Sequence, residues 1–326
     1  MDSRRARGVR CTPEHPEVPV PKFAVIRQDH TFVDLQGVTI HWYTWMPGKP
    51  KAIVLIVHGI GEHALRYEHV AQHLVNAGYG VAALDQRGHG ATGLEQFGGD
   101  ASRLGRLGPG GGMAVVGDVV ALVKRLRGEH PQLPLAVIGH SWGSLTMQRF
   151  LNRHAALVDA VVLSGTAYRM PGWMAAGDLN ARHKHLGDTG FEWLSRDPAV
   201  QEAFVADPLT FPADVLRLLG PVEGARLFGV PARSLGVDIP LLVAVGSDDT
   251  LGGEASARRL VRAYEERSGL TDVTLRVYPG ARHEIFNEIT KSKVLDDVTA
   301  WLDAHKRPWT DLAGKLTILN GDRIHL

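Results

Sequence analysis

The segment Gly139-His-Ser-Trp-Gly143 sets a hydroxyl between two glycines, after an apolar strand pattern and before a helix pattern. In a strand-to-helix turn this tight, the residues flanking the serine must lack bulk, and the hydroxyl is pushed into open space. The N-terminus of the following helix favours negative charge developing there. Ser141 is therefore the candidate nucleophile of an acyl-transfer reaction. A serine hydroxyl is weak and needs a base. Of sixteen histidines, His283 is best placed, in Tyr278-Pro-Gly-Ala-Arg-His283 between the last strand pattern and the last helix pattern. An acid should precede it in the chain, in the order serine, acid, histidine. Val245-Gly-Ser-Asp-Asp249 closes a strand pattern and offers Asp248 and Asp249. Asp249 is favoured, and one of the pair is expected to form a turn or to cap a helix before Glu254.

Acyl transfer also needs two donors for the developing oxyanion. The backbone N–H of Trp142, next after the serine, is one candidate. The other is the N–H of Ile60, in the glycine-rich loop His58-Gly-Ile-Gly-Glu-His63 that follows another strand pattern.

These loops can meet only if the strands before them lie side by side and parallel. The chain supports that. Ala52–Val57, Gly80–Asp85, Leu135–Ile138, Ala160–Leu163 and Leu241–Val245 are nearly continuous apolar runs, as expected for strands covered on both faces. Val38–Trp45 alternates as a half-buried strand, and Val273–Tyr278 is the last strand. Helix patterns occupy 65–77, 113–127, 142–154 and 291–305. Alternating strands and helices imply an α/β fold with a mostly parallel sheet and helices on both faces. The loops at the C-terminal strand ends then gather at one edge.

The rhythm breaks between 166 and 236, which is rich in aromatics, methionine and proline. A structureless loop of that length is uncommon, so a helical cap is expected there. The division is a leader over 1–23, core over 24–165, cap over 166–236, core over 237–307 and an extension over 308–326. The leader carries four arginines and four prolines and reads as disordered. In the extension, Asn320-Gly321 between alternating segments predicts a β-hairpin.

Composition excludes several function classes. The 326 residues hold 36 Lys and Arg against 35 Asp and Glu, so no electrostatic footprint suggests a nucleic-acid partner. The longest apolar runs are strand length, too short to cross a membrane. The single cysteine, Cys11, has no partner for an intramolecular disulfide, and a reduced cytoplasmic setting is expected. His183-Lys-His185 lacks the further ligands of a metal site and reads as a solvated face. His58, His63 and His89 read as hydrogen-bonded loop residues. Gly108-Pro-Gly-Gly-Gly112 lacks the Lys-Ser or Lys-Thr of a phosphate loop and reads as a flexible turn. No metal or cofactor is expected.

Taken together, His58-Gly-Ile-Gly-Glu-His63 with Arg66-Tyr67, Asp85-Gln-Arg-Gly-His-Gly90, Gly139-His-Ser-Trp-Gly143, Gly246-Ser-Asp-Asp249 and Pro279-Gly-Ala-Arg-His-Glu284 resemble the monoacylglycerol lipase and lysophospholipase-like branch of the α/β-hydrolases. Leu194-Ser-Arg-Asp-Pro198 and Asp207-Pro-Leu209 extend the likeness into the cap, over roughly residues 31 to 305. The resemblance implies a serine esterase or lipase with Ser141, Asp249 and His283 as its triad and Ile60 and Trp142 as oxyanion donors. It also implies an ester substrate with an apolar acyl arm, and leaves room for transient contact of the cap with a membrane surface. Trp142 stands where the branch often has methionine, and Ser144 where a second glycine is common. Gly252-Gly253 is expected to loosen the loop after the acid.

Two other classes compete. Gly59-Ile-Gly-Glu-His-Ala64 fits a dinucleotide-binding turn, with Asp85 at the end of the next strand. A carboxylate at Glu62 would repel the pyrophosphate, and the serine turn would go unexplained. A binding homologue without turnover is the second, and an intact triad argues against it. A triad hydrolase of non-lipid esters or amides is the remaining alternative.

Overall fold

The computed structural model describes residues 25–175 and 177–306. The expected leader and C-terminal hairpin lie outside the described residues.

Eight strands form one mixed sheet. They are β1 (Gln28–Val33), β2 (Thr39–Trp45), β3 (Ile53–Val57), β4 (Gly80–Leu84), β5 (Leu135–His140), β6 (Ala160–Ser164), β7 (Leu241–Gly246) and β8 (Val273–Tyr278). Their spatial order is β1-β2-β4-β3-β5-β6-β7-β8. β1 pairs antiparallel with β2, and β2 antiparallel with β4. All later pairings are parallel. The pleat sends alternate residues to opposite faces. Ile53, Leu55 and Val57 of β3 join one apolar cluster, and Val54 and Ile56 join the other.

Helices cover both clusters. On the first face lie α3 (Gly111–Glu129), α4 (Trp142–His154) and α7 (Gly253–Arg262), with Leu122, Phe150 and Leu260 buried beneath them. On the second lie α1 (Glu68–Asn76) and α8 (Lys291–Ala304), with Leu74 and Val298. A short α2 (Gly90–Gln96) follows β4. Burying one such side chain stabilises the fold by about 1.5–3 kcal/mol, so the doubly covered sheet is the main source of stability.

The chain leaves the sheet after β6 and returns at β7. Among its described residues the insertion holds α5 (Pro198–Ala206), α6 (Val215–Arg226), which is kinked at Gly220, and a 3-10 turn at Lys184–Leu186, joined by loops. Side chains take up backbone groups that a helix would use. Asp178 accepts from Asn180 N at 2.8 Å, and Asn180 Oδ1 accepts from Trp193 N at 2.9 Å. Thr189 N donates to Glu192 Oε1 at 2.7 Å. Such bonds compete with helix formation.

Two local expectations need correction. The glycine run 108–112 is no free turn, since Gly110 caps α3 and Gly111 begins it. Gly252 does not loosen the loop after Asp249, because it is the N-cap of α7. Of the two aspartates, Asp248 lies in the turn after β7, closed by Asp249 N donating to Gly246 O at 3.3 Å, so the turn expected of one of the pair is there and the cap of α7 is Gly252. No helix among the described residues is long and apolar enough to cross a membrane.

Candidate active site

Ser141 lies between β5 and α4 with φ 51° and ψ −124°, the one non-glycine residue with positive φ among those described. Such a conformation costs on the order of 1–3 kcal/mol and persists only where its surroundings enforce it. Here Ser141 N donates to Ser164 O of β6 at 2.9 Å, and Ser141 O accepts from Leu145 N of α4 at 3.0 Å. A Cβ at Gly143 would overlap the carbonyl oxygens of Val57 and His58, so α4 can pass the end of β3 only with glycine there.

His283, on the loop after β8, meets that serine. Its Nε2 is 2.8 Å from Ser141 Oγ, and its Nδ1 is 2.9 Å from Asp249 Oδ1. An ionised carboxylate only accepts, so Nδ1 carries the proton and Nε2 is free to accept from the hydroxyl. Asp249 Oδ1 also accepts from Leu251 N at 2.9 Å, which fixes the carboxylate. His283 is 1% exposed and Asp249 4%. Burial disfavours the imidazolium, but the charge and hydrogen bond of Asp249, with Glu284 and Glu62 nearby, outweigh it and raise the pKa above the ordinary histidine value.

Asp248, the alternative acid, points elsewhere. Its Oδ2 lies 2.9 Å from His183 Nε2 and its Oδ1 2.6 Å from Arg182 Nη2. His183 was expected on a solvated face. Instead it is 3% exposed and ties the insertion to the loop after β7. Lys184 and His185 are exposed, as a solvated face would require.

Trp142 is the first residue of α4, and the first N–H groups of a helix have no acceptor within it. The loop after β3 runs beside the serine, where a Cβ on Gly59 would stand 3.0 Å from Ser141 Cβ. Ile60 lies on this loop. Gly59 N donates to Glu62 Oε1 at 2.6 Å, and Tyr67 Oη donates to the same oxygen at 2.7 Å. The carboxylate therefore occupies the turn that a dinucleotide pyrophosphate would need. Asp85 is likewise engaged, accepting from Tyr43 Oη, Ala64 N and Ala91 N, each at 2.8 Å.

His58, His63 and His89 are buried and hydrogen-bonded. His58 Nε2 accepts from Gln86 N at 3.0 Å, His63 Nε2 lies 2.8 Å from Asp207 Oδ2, and His89 Nδ1 lies 3.0 Å from Arg87 O.

A polar layer that the spacing of residues did not disclose lies behind the histidine. Arg66 Nη1 donates to Glu62 Oε2 at 2.6 Å and to Glu284 Oε1 at 2.7 Å, while Nη2 donates to Glu284 Oε2 at 2.9 Å. The signal was present, because Glu62, Arg66, Tyr67 and Glu284 all fall inside the segments that carry the family resemblance. Above the histidine, the Trp193 ring lies 4.7 Å from the His283 ring, and nothing in the sequence pointed to it.

The cavity at Ser141 is lined by Ile60, Phe191, Trp193, Leu194, Phe204 and Ala213 on its apolar side. Its volume is about 10 Å³, near the minimum for one water molecule.

Residues 48–290 match the family described as serine aminopeptidase, S33. The chain belongs to this family. As an α/β-hydrolase, it is 36% identical over 301 residues to the monoacylglycerol lipase of Mycolicibacterium smegmatis, an alignment covering 86% of this chain and 98% of that one. It is 28% identical over 286 residues to the monoglyceride lipase of Homo sapiens, covering 83% and 88%. Among solved structures it resembles a thermostable carboxyl esterase from Bacillus coagulans in complex with glycerol, with TM-score 0.70, 26% identity and coverage of 86% and 98%.

Proposed function

We propose that this α/β-hydrolase is a serine esterase of monoacylglycerol-like carboxylic esters, working through an acyl-enzyme. The observation that carries the reading is the unbroken row Asp249–His283–Ser141, with contacts of 2.9 and 2.8 Å at a strained strand-to-helix turn. His283 takes the Ser141 proton as Oγ attacks the ester carbonyl. Asp249 holds the imidazole in the right tautomer and stabilises the imidazolium. The N–H groups of Ile60 and Trp142 receive the oxyanion, and His283 returns the proton to the leaving alcohol. Water then repeats the sequence on the acyl-serine. Acyl transfer by these groups requires no metal or cofactor.

The lipid ester class rests on the relatives' named activities and on the apolar lining of the cavity. The family description names a peptidase, and an amino-terminal substrate would need a carboxylate to hold its ammonium group. The carboxylates at this cavity, Glu62 and Glu284, are already engaged by Arg66. Residues 166–236 act as the cap that covers the site. Exposed Val205, Leu216 and Val222 on α5 and α6 support brief contact of this cap with a lipid surface. The lone cysteine suits a cytoplasmic setting.

The test is hydrolysis of a chain-length series of 4-nitrophenyl esters and monoacylglycerols by wild type and Ser141→Ala. Activity in wild type that disappears in the variant is expected. Folded wild type inert on every ester would move the reading to a non-ester substrate or a binding role.

A further inference from the structure

Trp193 belongs to the insertion by sequence, yet its backbone is fastened to the loop that carries His283. His283 N donates to Trp193 O at 3.3 Å, and Glu284 N donates to Leu194 O at 2.7 Å. Arg282 Nη1 donates to Glu192 O at 2.5 Å and to Ser195 O at 3.0 Å. Ser195 Oγ donates to Asn287 O at 3.1 Å. On the other side, Trp193 N donates to Asn180 Oδ1 at 2.9 Å. Residues 192–195 thus form a short strap laid along residues 282–287. The indole is buried and lies on the imidazole, with ring centroids 4.7 Å apart and an interplanar angle of 36°.

The position has a chemical consequence, given the ester-hydrolase reading on which this inference rests. His283 Nε2 must reach Ser141 Oγ first and the leaving oxygen afterwards, each at about 3 Å. The leaving alcohol therefore departs beside the imidazole, whereas the carbonyl oxygen turns toward the amides of Ile60 and Trp142. Whatever carbon is attached to the leaving oxygen meets the indole of Trp193. Phe191 and Phe204 also narrow the cavity, but their rings meet each other at a tilt of 42° with centroids 4.5 Å apart, and Phe204 lies on α5. Phe191 O accepts from Leu194 N at 3.0 Å and so adjoins the strap, whereas Phe204 sits on the helix beyond it. The strap holds Trp193 with the histidine.

We propose that Trp193 is the specificity-determining residue for the alcohol half of the ester. Its indole bounds the leaving-group space and favours small alcohols, up to the size of glycerol, over bulky ones. It does not set the acyl length.

The experiment measures kcat/KM of the full-length protein for butyrate esters of ethanol, glycerol, cyclohexanol and 1-naphthol, and for ethyl esters of increasing acyl length. Wild type, Trp193→Ala, Trp193→Leu and Trp193→Phe are compared, each checked by thermal unfolding. In Trp193→Ala and Trp193→Leu, the ratio of cyclohexyl to ethyl butyrate should rise about tenfold or more, as expected for opening an apolar pocket by several carbons. Trp193→Phe should fall between them and wild type, and the acyl-length optimum should stay in place. If Trp193→Ala does not fold, the leucine and phenylalanine variants carry the same graded expectation. An alcohol profile that is unchanged, or activity lowered equally on every alcohol, would show a merely structural strap and overturn the proposal. A shift of the acyl optimum would overturn it as well. Wild type inert on all of these esters would instead remove the ester-hydrolase reading.

Discussion

Glu62 and Glu284, from loops at opposite ends of the chain, grip one guanidinium, that of Arg66, at 2.6 and 2.7 Å from the same nitrogen. Glu62 also holds Gly59 N, next to the proposed oxyanion donor Ile60, and Glu284 follows His283 directly. The arginine therefore couples the loop after β3 to the loop after β8. Arg66 also lies over the Phe204 ring, 4.7 Å from its centroid, which brings the insertion into the same cluster.

Arg66→Met should be strongly destabilising, because it leaves two buried carboxylates facing each other. Breaking a buried pair by removing one partner costs about 3–5 kcal/mol. Urea unfolding at neutral pH should show a loss of that order. The loss should shrink in Arg66→Met with Glu62→Gln, which removes one of the orphaned charges.

Ser141→Gly should separate stability from catalysis. Glycine adopts φ 51° without strain, so the variant should unfold at a higher temperature than wild type, by the equivalent of about 1 kcal/mol. Its ester turnover should fall by about four to six orders of magnitude. Calorimetry and a 4-nitrophenyl ester assay read the two effects. A melting temperature below that of Ser141→Ala would contradict the strain assigned to the turn.

The two neighbouring aspartates should behave differently. Asp249→Asn preserves the shape but presents the wrong tautomer of His283 to the serine, and kcat should drop by about 10⁴. Asp248→Asn loosens the ties to His183 and Arg182, so it should lower the melting temperature and leave most of kcat in place. Equal losses of kcat in both would discredit Asp249 as the orienting acid.

Activity should rise with pH as His283 loses its proton, because only the neutral imidazole can accept from Ser141. Asp249, Glu284 and Glu62 raise the pKa of His283 in spite of its burial, so the limb of kcat/KM against pH should lie above the ordinary histidine value. In Asp249→Asn the residual activity should show that limb displaced to lower pH, since the largest stabiliser of the imidazolium is gone. A limb that stays in place would mean that another group controls it.

The strands after β1, the turn at Ser141 and the order serine, aspartate, histidine were legible in the chain. Each rests on local physics. β3, β4, β5, β6 and β7 are continuous apolar runs because both of their faces are covered, and glycines 139 and 143 announce a turn that bulk would block. The elements that escaped are those whose pattern is decided by distant neighbours. β1 is mostly exposed and exists as a strand because β2 offers it a ladder. α7 has glycine at its cap and at its first position, which argue against a helix by propensity, and the apolar stripe packed on β7 outweighs them. His183 looked solvated because its neighbours in sequence are charged or polar, and only the tertiary fold brings Asp248 to it. The choice between Asp248 and Asp249 likewise turned on direction, since adjacent residues on a loop point to different partners. The indole of Trp193 on the imidazole of His283 was settled entirely in three dimensions. It depends on hydrogen bonds between segments about ninety residues apart, some between backbone groups and some from Arg282 to backbone carbonyls, and a carbonyl acceptor leaves no mark on residue type.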